Sequence, residues 1–353
     1  MSSIQSLLTK EEKEVLTKGN YNSIVETFNL LNVNSYDRKG RTPLHYLCLK
    51  DNCEIRSVNF LLKLGADVTQ QSSTGMTALH HQCSTTSPKF NIVNLLVMHK
   101  CPVTLPTING RTVLHLLCVK PMDVNRHIKV VLDSGADPNA RNDQGETPIH
   151  VMCHQIKMKP IRLQLLLKYG ATLNFLDKRL YTPLHLICTK FLIENRIIKI
   201  FLQGGAKINI RGQGGKLPIH ELCLKRKPDL NAIQNLLQIE NQINTKTDLG
   251  HTPLHLICGL YPPDQNSIIH FLKMGADINE TDYENCSPLH LIVQNPQLSF
   301  SFLKFLVKMN ANFFLKNENL TPLDLADEQM KKTILKLLKQ VKNVNNQTKE
   351  KKK

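Results

Sequence analysis

Eight histidines stand at a constant spacing of 35 residues: His45, His80, His115, His150, His185, His220, His255 and His290. Seven are followed three residues later by a cysteine: Cys48, Cys83, Cys118, Cys153, Cys188, Cys223 and Cys258. Imidazole and thiolate are zinc ligands, and together they form the base–nucleophile pair of thiol hydrolases. Each chemistry makes a geometric demand. A structural zinc site gathers four ligands around one ion. One His-x-x-Cys pair on a helix supplies two. Equivalent slots of adjacent stacked repeats stand roughly 10 Å apart, the spacing of packed helices. A catalytic dyad is needed once, whereas this pair recurs seven times. No catalytic residue, metal or cofactor is therefore expected. The histidines should bond the backbone of adjoining turns, and the cysteines should fill small buried slots.

The elements that place these pairs are legible in the flanking residues. Thr42-Pro43 precedes the first histidine, and Thr-Pro recurs at 147–148, 182–183 and 252–253. Thr caps a free backbone N–H, and Pro at the first helical position loses no needed donor. Positions 13, 16 and 17 residues past each histidine are apolar in all eight repeats, as in Val58, Leu61 and Leu62. That spacing is one face of a second helix. It ends at Gly-Ala in five repeats (Gly65-Ala66, Gly135-Ala136, Gly170-Ala171, Gly205-Ala206 and Gly275-Ala276), where glycine supplies the left-handed cap. A short polar turn follows, such as Arg141–Gly145, and the next Thr-Pro begins. A fixed period of this length marks stacked supersecondary units.

The TPLH helix start and the Gly-Ala-Asp helix end resemble the ankyrin repeat family. The resemblance runs over about residues 5–340. It implies an all-α solenoid of helix–loop–helix repeats with projecting β-turns. Residues 5–36 read as a capping helix pair and 37–315 as eight repeats of 35 residues. Residues 316–342 read as a capping repeat, in which Asp324 replaces histidine, and 343–353 as a lysine-rich tail without structure. Three departures stand out. The period exceeds the usual 33 or so, with the two extra residues between the helices, as in Leu49–Glu54. Repeat six carries Leu217 for Thr and Glu240-Asn241 for Gly-Ala. Repeat two ends in Lys100-Cys101-Pro102.

Composition bounds the function classes. There is no apolar run of membrane-spanning length, and the N-terminus lacks a signal-peptide core, so a cytoplasmic or nuclear protein is expected. Slots about 10 Å apart cannot form disulfides, which need Cα atoms within about 7 Å. Reduced thiols suit an intracellular compartment. Cys53, Cys101 and Cys286 lie outside the ladder, at loop or turn positions where exposure is expected. Of the net charge of +16, residues 331–353 contribute half, with nine Lys against one Glu. That tail reads as a solubilising end, with nuclear import as the alternative. The absence of Trp and the modest basicity elsewhere argue against nucleic acid as the main ligand.

By resemblance, partners bind on the turn tips and the inner face of the first helices. The slot five past each histidine carries Lys50, Lys120, Lys190 and Lys225, and the tips carry Arg38, Lys39, Arg41, Arg111, Lys178, Arg179, Tyr181 and Lys216. Together these twelve are expected to form a discontinuous basic stripe that binds an acidic or phosphorylated protein segment. The expected protein is a monomeric, non-catalytic adaptor or scaffold for protein–protein interaction. Two alternatives are an inhibitor masking a signalling or transcription protein, and a substrate-recognition subunit of a ubiquitin ligase. The latter needs a docking module outside the array, and the apolar residues after 320 are used by the last repeat.

Overall fold

The computed structural model describes residues 7–18, 20–190, 193–295, 298–318 and 320–350. Two compact bodies divide the chain at Lys178 and Arg179. Among the described residues the fold is helical throughout, with isolated β-bridges and no strand.

The first half opens with a helix pair, α1 (Lys10–Lys18) and α2 (Tyr21–Thr27), which buries Leu16, Ile24 and Phe28. Four repeats follow. Their first helices are α3 (Pro43–Cys48), α5 (Ala78–Ser84), α7 (Val113–Cys118) and α9 (Pro148–Cys153). Their second helices are α4 (Ile55–Lys63), α6 (Phe90–Met98), α8 (Asn125–Asp133) and α10 (Pro160–Lys168). First helices pack on first helices of neighbouring repeats, and second helices on second. The predicted apolar face of the second helices forms the core: Val58, Leu61, Val93, Leu96, Ile128, Val131, Leu163 and Leu166 are inaccessible to solvent. Each such side chain contributes roughly 1.5–3 kcal/mol through burial.

The second half repeats the scheme. Its first helices are α11 (Pro183–Cys188), α13 (Pro218–Cys223), α15 (Pro253–Cys258), α17 (Pro288–Ile292) and α19 (Pro322–Leu325). Its second helices are α12 (Asn195–Gln203), α14 (Leu230–Leu237), α16 (Gln265–Lys273), α18 (Phe300–Lys308) and α20 (Glu328–Glu350). The last of these continues to Glu350, over residues expected as an unstructured tail. No Gly or Pro interrupts residues 328–350, so nothing in the backbone forces an earlier stop. Lys351–Lys353 lie outside the described residues, as do Gln5 and Ser6 of the expected cap.

The ladder histidines bond their own helix caps, and six of the eight also bond the next turn, whereas Nε2 of His80 and of His290 has no partner among the described residues. In repeat one, the Thr42 N–H donates to Nδ1 of His45 at 3.1 Å, with the Thr42 hydroxyl at 2.8 Å from the same atom. An accepting Nδ1 leaves the proton on Nε2, which donates to the Met76 carbonyl of the following repeat at 3.0 Å. His115 reaches Glu146 O, His185 reaches Lys216 O and His255 reaches Cys286 O in the same way. Repeat six loses only the hydroxyl contact: the Leu217 N–H still donates to His220 Nδ1 at 3.0 Å, and His220 Nε2 reaches Thr245 O at 2.9 Å. Asp324 accepts from Thr321 N–H at 2.9 Å and so retains the acceptor role. An ionised carboxylate has no donor, and no further turn stacks on this repeat among the described residues.

The two extra residues per repeat lengthen the loop between helices and leave its carbonyls facing the next repeat. Side chains of that repeat satisfy them. Lys89 Nζ donates to Cys53 O at 2.8 Å, and His127 Nε2 to Pro88 O at 3.0 Å. Arg162, 1% exposed, spreads its guanidinium over Cys118 O, Lys120 O and Met122 O at 2.8–3.0 Å. At the other end, an asparagine ties turn to turn. Asn139 donates to Gly170 O and accepts from Thr172 N–H, and Asn34 does the same with Gly65 O and Asp67 N–H.

Candidate functional site

Each turn tip is anchored to the tip before it. Ser73 N–H donates to Lys39 O, Ile108 N–H to Thr74 O, and Asp143 N–H to Asn109 O. The close approach needs glycine at the bend. Gly75 has φ +72°, and a Cβ there would stand 2.7 Å from Ile108 N. The tips thus become a rigid row standing over the inner face of the first helices.

In the first half, this arrangement encloses a groove of about 550 Å³ over repeats one to three. Its rim carries Lys39, Arg41 and Arg111, and its walls carry Ser72, Ser73, Thr74 and Thr107. Leu49, Met76, His81, Ser84, Asn109 and Leu116 complete the lining, which contains no acidic residue. Arg38, Lys39 and Arg111 are exposed, and among the described residues none forms an ion pair. Arg41 is committed inward: its guanidinium pairs with Asp37 at 2.8 Å and lies 4.6 Å from the Tyr46 ring centre. Burial alone would raise the Asp37 carboxyl. Hydrogen bonds from Arg41, Tyr46 and the Lys39 N–H outweigh it and hold the group at about 2.

The lysines five past the histidines do not join this groove. They sit at the opposite end of the first helices from the tips. Lys120 Nζ donates to Ser84 O at 2.8 Å and also to Thr85 O, capping the end of α5. Lys50 Nζ binds Thr17 O in the last turn of α1. A cation on terminal helix carbonyls is favoured by both hydrogen bonding and the helix dipole. Burial lowers the pKa of both lysines. The expected stripe therefore separates, in the first half, into a rim of tip cations and a row of structural lysines.

In the second half the matching lysines are again drawn inward, but Lys225 Nζ is buried without a hydrogen-bond partner among the described residues rather than capping a helix end. Lys225 is half-buried, its ammonium lowered in pKa by burial, and Lys190 is half-buried at the matching slot. Lys178, the last residue of the first half, and Arg179 are exposed. The Arg179 guanidinium lies 5.9 Å from the Tyr181 ring centre. Tyr181 and Lys216 both turn toward Glu221 Oε1, at 3.4 and 3.8 Å. Glu221 is 5% exposed, and burial raises its pKa against the pull of Lys216 and Tyr181. Its position follows His220 by one, where other repeats are mostly apolar, and the substitution was visible in the sequence.

The off-ladder cysteines are not exposed as expected. Cys53 and Cys101 are each 4% accessible, and burial pushes both thiols up to about 11. Cys286 is half-buried, with its thiol likewise at about 11. Cys101 occupies the place of the helix-ending Gly-Ala, where the preceding Lys100 takes the left-handed conformation and directs Cys101 inward. Such thiols are poor nucleophiles. Among the described residues, no group of three or more His, Cys, Asp or Glu is placed to hold a metal ion.

The geometry consists of stacked helix pairs, tips locked in a row and a groove beneath them. A family model described as ankyrin repeats (3 copies) matches residues 15–107, 52–141 and 117–212. No curated protein matches the chain. The three matches together span more than half of the sequence, and the same helix pair continues beyond them to α20. Ankyrin repeats generally mediate protein–protein interaction, and this chain belongs to the ankyrin repeat family.

Proposed function

We propose that the protein is a non-catalytic adaptor that holds an acidic or phosphorylated segment of a partner protein in the groove of repeats one to three. One observation carries this reading: the groove is rimmed by the unpaired cations Lys39 and Arg111, beside an Arg41 already paired with Asp37, and lined by no carboxylate. Such a field steers acidic partners and disfavours basic ones. The rim is also pre-positioned by the tip-to-tip hydrogen bonds, so little ordering is required on binding. The cytosol or nucleus is the proposed compartment, supported by ten free cysteines of which nine are buried.

Affinity purification of the tagged protein from its native cells, beside a Lys39→Glu/Arg111→Glu variant, tests the reading. Both side chains are exposed and unpaired, so the variant is expected to fold and to lose the partner. Full retention of every partner by the folded variant overturns the assignment of the groove.

A further inference from the structure

One side chain of this groove has no partner in the protein. His81 is 6% exposed and borders the groove, yet neither ring nitrogen has a hydrogen-bond partner. It stands one residue past the ladder histidine, where the neighbouring repeats carry Tyr46 and Leu116. Its ring packs edge-on against His45, with centroids 5.4 Å apart. Burial, helped by the nearby His45, Arg41 and His80, pushes its pKa down to about 3. The ring is therefore neutral, with one N–H and one lone pair both unused. An unmet buried polar atom costs about 1–3 kcal/mol. A leucine, as at position 116 of the next repeat, would avoid that cost.

The surroundings define what would satisfy it. Lys39 and Arg111 on the rim have no ion pair among the described residues. Leu49, Met76 and Leu116 supply apolar wall. Cations above, an imidazole donor at the floor and aliphatic walls fit an extended segment that alternates acidic and aliphatic side chains. Both ring nitrogens are buried in the free protein, and turning the soft χ2 of the histidine is the motion that binding would require.

We propose that His81 is the floor of a pocket for one Asp or Glu side chain of an extended acidic partner segment. The carboxylate accepts the imidazole N–H while Lys39 and Arg111 balance its charge. This rests on the reading of the groove as the partner surface. His81 thus trades stability of the free protein for recognition.

The test uses the full chain, a synthetic peptide alternating glutamate and leucine, and its glutamine–leucine and phosphoserine–leucine counterparts. Binding is read by fluorescence anisotropy, and His81 is read by its imidazole nitrogen signals. The glutamate peptide is expected to bind and to shift the His81 signals, and the glutamine peptide to do neither. His81→Leu should raise the thermal midpoint while weakening the glutamate peptide on the order of tenfold. His81→Gln, which keeps a donor, should recover part of the affinity. Peptide binding unchanged in His81→Leu but abolished in Lys39→Glu/Arg111→Glu overturns the pocket and leaves the groove standing. Binding unchanged in both overturns both. A lower thermal midpoint for His81→Leu also overturns the pocket, because it makes the histidine a structural residue. So does tighter binding of the phosphoserine peptide without a response at His81.

Discussion

Arg162 is the largest fully buried side chain among the described residues, and it serves three carbonyls of one loop. Replacing it with methionine fills the space but leaves Cys118 O, Lys120 O and Met122 O without donors. Arg162→Met is expected to cost about 3–5 kcal/mol, and Arg162→Lys less, since an ammonium still serves some of the three carbonyls that methionine leaves bare. Hydrogen exchange of the loop between α7 and α8 is the measurement, and unchanged protection there would contradict the assignment. The role of Arg162 was not legible in the sequence, nor were those of Lys50 and Lys120. A sequence displays the donor, but the acceptors are backbone carbonyls, identical at every residue and known only once the loop is folded. The ladder histidines were legible because their main partner, the Thr three residues before, is written beside them.

At the scale of elements, the bend of each turn tip demands a left-handed residue. Glycine fills it at positions 40, 75, 110, 145, 215 and 250, and Asn285 in repeat eight, but repeat five places Leu180 there, with φ +62°. A branched side chain in this region carries about 1–2 kcal/mol of strain. Leu180 is half exposed and loses little burial on truncation. Leu180→Gly should therefore stabilise the protein by about 1 kcal/mol, the strain relief exceeding the greater freedom of glycine in the unfolded chain. Denaturant titration decides it, and a loss of stability would show that the leucine packs usefully. Helix starts and the inward face of the second helices were readable from Thr-Pro and from apolar spacing, because both are local rules. The end of α20 was not. A run of Lys, Asn and Gln is equally compatible with a solvated helix and with a tail, and only a Gly or Pro would have marked the difference.

Across the whole molecule, the buried histidines act together. Burial pushes His80 and His220 down to about 4, and it lowers His45, His115, His127, His255 and His290 in the same direction. In the unfolded chain each titrates near about 6.5. As pH falls below that value the unfolded chain binds protons that the folded chain refuses. The stability contributed by the neutral rings is complete above about pH 6.5 and is lost as pH falls toward 4. Helical circular dichroism is expected to collapse steeply within that window, before most carboxylates protonate, and a signal flat down to pH 4 would refute this. The ladder thiols offer something different. Each of the first seven repeats holds one cysteine of its first helix at 0–2% accessibility, and a reagent meets that sulfur only when the repeat breathes. A brief pulse of alkylating agent on the native protein, resolved by peptide mass, would yield seven separate clocks along one chain. Their order would reveal where the array first loosens, with no residue changed.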